Sequence, residues 1–157
     1  MGAVLAYKNA RANIALTTYK ETKIKTASQG QLIIMLYDEA IKRMNRALEL
    51  LELNTGEKKD PGRIEEISKA VMKAEEIITE LMVSLDFEQG GEISKNLFAL
   101  YTWFNRELLE ANIAQDKDRI TNVRNMLKEL RDAWNIIVSQ NAVEAKNREV
   151  VGINIAG

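Results

Sequence analysis

The chain has 157 residues, 46% hydrophobic and 29% charged, with 22 Lys and Arg against 23 Asp and Glu for a net charge of −1. That length and composition fit one domain with a real core rather than a disordered chain, and the near-neutral balance argues against a nucleic-acid partner. There is no Cys and no His, which excludes a disulfide framework, a thiolate nucleophile, a Ser-His-Asp triad and the usual zinc ligand sets.

No apolar run approaches the ~20 residues of a membrane span, and nothing at the start reads as a secretory signal. Without His, acid–base catalysis at neutral pH requires a strongly shifted Glu or Lys. The expectation is a cytoplasmic helical protein that works by contact, not an enzyme, with no cofactor, no small-molecule substrate and no membrane insertion. One Pro and eight Gly leave room for long helices.

In chain order, residues 1–18 form an N-terminal extension with room for a short extra helix. The first long helix starts near Ser28, where Ser28 and Gln31 fit a capping box. Its apolar stripe runs Ile33, Leu36, Tyr37, Ala40, Ile41, Met44, Ala47, Leu48 and Leu51. Asn54-Thr55-Gly56 ends it. Asp60-Pro61 opens the second helix, because Asp caps free amides and Pro suits the first turn. Its stripe, Ile64, Ile67, Val71, Ala74, Ile78, Leu81 and Leu85, alternates steps of three and four.

Gly90-Gly91 separates this helix from a third, at about Glu92 to Asn112, striped by Ile93, Leu97, Leu100, Phe104, Leu108 and Ala111. The fourth begins around Asp116 to Asp118 and carries Ile120, Val123, Leu127, Leu130, Trp134 and Ile137, reaching Lys146 or Arg148. The expected fold is all-α, an antiparallel up-down four-helix bundle over residues 19–148. An apolar tail, 149–157, contains Val150, Val151, Ile153 and Ile155.

Four features carry functional readings beside plainer ones. Carboxylates such as Asp38, Glu39, Glu76, Glu80, Glu107 and Glu110 can hold a metal or act as acid and base, but the same residues make solvated, ion-paired helix faces. The glycine pair can cradle an anion, but no strand or Gly-Lys-Ser/Thr accompanies it, and a tight turn explains it. Six Met can supply an adaptable surface or fill core gaps. Apolar residues beyond the stripes, Leu32, Ile34 and Met35 on the first helix and Phe98, Tyr101 and Trp103 on the third, exceed what a bundle core needs. As a set they suggest a groove for another amphipathic segment.

The sequence also resembles the FliS family of flagellar export chaperones. The resemblance rests on three blocks: Tyr19 to Ser28 with Gln31-Leu32-Ile33-Ile34-Met35-Leu36-Tyr37-Asp38-Glu39-Ala40-Ile41; Leu85-Asp86 with Gly90-Gly91-Glu92-Ile93-Ser94-Lys95-Asn96-Leu97 and Leu100-Tyr101; and Leu127 to Trp134. They stand in the family's order over about residues 19–138. Gln29 replaces the family's usual Pro, and Glu39 its Gly.

This resemblance implies a cytoplasmic bundle that binds the C-terminal segment of flagellin, deters its premature polymerisation and helps deliver it to the export gate. With the surplus apolar positions it singles out Tyr19 and Ile24 before the first helix, Leu32, Ile33, Leu36 and Tyr37 at its start, and Ile93, Asn96, Leu97, Leu100 and Tyr101 on the third. The apolar members would supply burial, and Tyr37 and Asn96 would hydrogen-bond the client. The alternative from composition alone is a helical adaptor for another secretion or regulatory partner. A third class, an enzyme with a carboxylate-only metal site, predicts saturable binding of a divalent metal.

Overall fold

The computed structural model describes the backbone of residues 27–156 and the side chains of 29–149. Four helices follow one another: α1 (Ala27–Leu53), α2 (Pro61–Val83), α3 (Phe87–Ala114) and α4 (Lys117–Ala156), with a single 3-10 turn at Gly56–Lys58 between the first two. The caps explain the boundaries. Asp60 Oδ1 accepts from Gly62 N at 2.9 Å with Pro61 in the first turn, as the Asp-Pro pair predicts. Asp116 Oδ1 does the same for Asp118 N at 3.0 Å, and Gln115 closes α3 in the left-handed region with φ 53°.

Each helix packs on its neighbours in a closed ring, α1 on α2, α2 on α3, α3 on α4 and α4 on α1. Cross-links run antiparallel. Between α2 and α3, Ser68 Oγ donates to Asn112 Oδ1 at 3.0 Å, while Asn105 Nδ2, nearer the start of α3, donates to Thr79 Oγ1 at 3.1 Å. Between α1 and α4, Arg131 meets Asp38 and Lys117 meets Glu52. This is the expected up-down four-helix bundle.

The core is a column of interior stripes. Ile67, Val71, Ala74, Ile78 and Leu81 of α2 meet Leu97, Leu100, Phe104, Leu108 and Ala111 of α3, and every predicted α4 stripe residue from Ile120 to Ile137 is buried. Burying a side chain of this size contributes about 1.5–3 kcal/mol. Ile64 at the mouth of α2 is left exposed.

Three boundaries differ from the sequence reading. On α1 the buried seam begins at Ile34, not Ile33; Ile33 and Leu36 flank it half-buried. The seam Ile34, Tyr37, Ile41, Met44, Leu48 keeps the three-four alternation without a break, so Ile34, read as surplus, is core. The third element begins before the glycine pair: Asp86 caps a first turn at Phe87, and the chain kinks at Gly91 before the main helix. At the other end, α4 continues through the tail to Ala156. Residues 141–149 contain no Gly or Pro, and Glu144 with Arg148 forms an i,i+4 pair, so nothing local ends the helix at 148. Residues 1–18 lie outside the described residues.

Candidate functional site

One end of the bundle brings the family-like blocks together. There α1 begins, α2 ends, α3 begins, and Trp134 of α4 closes the wall around a cleft of about 180 Å³. The volume is of the order of an apolar cavity that takes up a benzene ring. Ile33, Ile93, Leu97 and Tyr101 line it, as do Ser84, Leu85, Asp86, Ser94 and Trp134.

The α3 side of the cleft is built by the turn at Asp86. Its carboxylate accepts from the backbone N–H of Glu88 and Gln89, both at 3.1 Å. Its carbonyl accepts from Gly90 N at 2.7 Å and from Ser94 Oγ at 2.8 Å. The two glycines do different work. A Cβ at Gly90 would lie 1.7 Å from Ser94 Oγ, so the hydroxyl occupies the space that Gly leaves. Gly91 has open space around it but φ +49°, a backbone conformation that a side chain strains.

The floor is an aromatic cluster. Trp134 Nε1 donates to Tyr37 Oη at 3.2 Å, and the Tyr37 and Tyr101 hydroxyls are hydrogen-bonded to each other. The two phenol rings meet edge-on, centroids 6.4 Å apart. Burial raises both phenol pKa values well above the ordinary range, against a smaller lowering of Tyr37 by its bonds to Tyr101 and Trp134. Both therefore stay neutral. On the outer surface, Leu32 is 60% and Met35 63% exposed, and Phe87 stacks edge-on against Phe98 at 5.9 Å with both rings partly exposed.

The expected site residues therefore divide. Ile33, Ile93, Leu97 and Tyr101 share the cleft. Leu36 and Asn96 are half-buried and lie outside its lining. Leu32 lies on the solvent side of α1. Leu100 and Tyr37 are in the core, and the Tyr37 hydroxyl, expected to reach a client, is fully buried with Trp134 and Tyr101 as partners. Tyr19 and Ile24 lie outside the described residues.

Ser84, Leu85, Asp86, Ser94 and Trp134 were not singled out as site residues. The signal for them was their clustering at the end of α2, the start of α3 and the last matched block, not their individual character. Val151 lies 17 residues beyond Trp134 on α4, roughly 25 Å along the axis at 1.5 Å per residue. A helical tail thus does not fold back onto the cleft floor.

No group of three or more His, Cys, Asp or Glu close enough to hold a metal occurs among the described residues, and no helix among them is long and apolar enough to cross a membrane. The cleft offers apolar surface, the hydroxyls of Ser84, Ser94 and Tyr101, the Gln29 amide and the Asp86 carboxylate.

The family model described as flagellar protein FliS matches residues 11–141. The chain is similar to the flagellar secretion chaperone FliS of Salmonella typhimurium, 37% identical over 115 residues (73% of this chain, 79% of the relative). It is similar to the protein of the same name from Escherichia coli, 34% identical over 114 residues (73% and 79%), and from Bacillus subtilis, 31% identical over 118 residues (75% and 81%).

Proposed function

This chain belongs to the FliS family, and from that premise we propose that it is a cytoplasmic chaperone for the C-terminal segment of flagellin, holding it unpolymerised until delivery to the export gate. Chaperone, flagellum and export are carried by the family; the client, the gate and the compartment are our reading.

The observation that carries the reading is the cleft, in which apolar residues from the family-like blocks of α1, α3 and α4 meet, beside a few polar groups. An amphipathic segment that is unfolded alone can bury one face there. Binding then competes with self-assembly by mass action. Ordering the client opposes binding, so a large contact gives a moderate and reversible grip. That suits a carrier, and no nucleotide is required for release.

The test is calorimetric titration of the full chain with the last few dozen residues of its organism's flagellin. One-to-one binding with a negative heat-capacity change is expected, together with no binding of unrelated amphipathic helices. Absence of binding with the helices intact would overturn the reading, and binding of the unrelated helices would favour a general helical adaptor.

A further inference from the structure

The hydroxyls at the cleft floor leave one hydrogen unassigned. The cluster holds three polar hydrogens, on Trp134 Nε1, Tyr37 Oη and Tyr101 Oη, and two hydrogen bonds. Trp134 can only donate; its bond ends on Tyr37 at 3.2 Å, with the Tyr101 oxygen a second, weaker acceptor beside it. If Tyr101 donated to Tyr37, the Tyr37 oxygen would accept twice and its own hydrogen would have no acceptor. Tyr37 is fully buried and outside the cleft lining, so that arrangement costs about tenfold or more in the folding equilibrium. If Tyr37 donates to Tyr101, both Tyr37 bonds are complete and the spare hydrogen sits on Tyr101, which is only 2% exposed but, unlike Tyr37, belongs to the cleft lining. The other two hydroxyls of the lining already have acceptors: Ser84 Oγ donates to Leu81 O at 2.7 Å and Ser94 Oγ to Asp86 O at 2.8 Å.

We infer that Tyr101 is a specificity-determining residue of the cleft, donating its hydroxyl hydrogen to one carbonyl oxygen of the bound segment. The inference rests on the cleft being the client site. It names the chemistry recognised there: a large apolar side chain filling the cavity, with an amide oxygen beside it at the floor. An amide oxygen free to accept belongs either to an Asn or Gln side chain or to backbone outside a helix, since helical carbonyls are already bonded. A client with only aliphatic groups at this point leaves the donor unpaired, so the hydroxyl discriminates as well as binds.

Two measurements test it. In titrations with the flagellin C-terminal peptide, Tyr101→Phe keeps the ring and removes the donor. It also removes the acceptor of the Tyr37 hydrogen and so lowers stability, and binding is read at a temperature where the variant is fully helical. About tenfold weaker binding is expected, with helicity retained, and wild-type affinity in the folded variant would overturn the inference. Coupling to Asn→Ala or Gln→Ala changes in the peptide would place the acceptor on that side chain, and loss without coupling would place it on the backbone; both support the inference. The second measurement needs no client. In the wild-type chain, exchange of the hydroxyl hydrogens with water, followed by NMR, should be faster for Tyr101 than for Tyr37. The reverse order would overturn the inference. If the wild-type chain does not bind the peptide, the client assignment fails while the exchange order still decides the donor.

Discussion

Asp38 and Arg131 lie 93 positions apart and meet across the seam of α1 and α4, Arg131 Nε donating to Asp38 Oδ1 at 2.9 Å. The contact is the top rung of a ladder. One heptad on, Arg124 Nη1 donates to Asn45 Oδ1 at 3.0 Å, and one heptad further, Lys117 Nζ to Glu52 Oε1 at 2.5 Å. Each step of seven along α1 is matched by seven back along α4. Charge alone tolerates a slip of one heptad, since every rung sets a cation against an oxygen. The Tyr37–Trp134 bond does not tolerate it, so the buried aromatics fix the register and the ladder lines the seam.

The middle rung is the one without a carboxylate. Asn45→Asp should complete it and stabilise the chain by about 0.2–1 kcal/mol, the range for partly exposed pairs. The gain should fade in high salt. Chemical denaturation of both forms at low and high ionic strength checks this.

The bottom rung is pH-sensitive. The hydrogen bond from Lys117, then its charge, holds the Glu52 carboxyl below its ordinary pKa. A depressed carboxyl contributes stability that is present above the unfolded pKa and lost as pH falls through the lower folded value. The stability difference between wild type and Glu52→Gln should therefore be seen at neutral pH and vanish in acid, as read from urea midpoints.

At the alkaline end the sign is reversed. Burial raises the Tyr37 and Tyr101 phenols, so their stabilisation is present below the unfolded value of about 10 and is lost as pH rises above it, where the unfolded chain ionises and the folded one does not. Phenolate absorbance from these two residues should appear together with unfolding. Tyr37→Phe should flatten this limb, yet cost about 1–3 kcal/mol at neutral pH by orphaning the Trp134 N–H.

The glycine pair separates by mechanism. Gly91→Ala should cost about 1–3 kcal/mol through backbone strain, whatever its neighbours. Gly90→Ala should displace the Ser94 hydroxyl from Asp86 O. In a Ser94→Gly background, which removes both the hydroxyl and the Ser94 Cβ that would lie 2.8 Å from the new methyl, much of that second cost should disappear while the first is unchanged. A double-mutant cycle by thermal unfolding reads both.

A surface test of client binding is Leu32→Asp. The side chain is 60% exposed, so Tm should change little, while affinity for the flagellin peptide should fall severalfold if the segment reaches over α1. Tyr101→Asp is unsuitable for this purpose, because a carboxylate in that buried position would unfold the bundle.

The bundle was legible because its stripes alternate by three and four and its boundaries carry Asp, Pro and Gly. Periodicity identified every buried position of α4 from Ile120 to Ile137. It misread the start of α1, where Leu32-Ile33-Ile34-Met35-Leu36 is apolar in every direction and only packing selects Ile34. The site was less legible for a related reason. Ile33 and Leu97 look alike in sequence, as do Tyr37 and Tyr101, yet Ile33, Leu97 and Tyr101 line the cleft while Tyr37 does not. Which of the two tyrosines reaches the cleft depends on how the four helices pack together, and this is a property of four chain segments at once.

Trp134 stands with its indole N–H tied to Tyr37 and its ring in the cleft wall. The other tryptophan, Trp103, packs beside Phe104 and is absent from the cleft lining. In a Trp103→Phe background the remaining emission becomes a native gauge of occupancy. Water leaving the cavity should shift it toward the blue, letting the speed of loading and unloading be followed without attaching any dye.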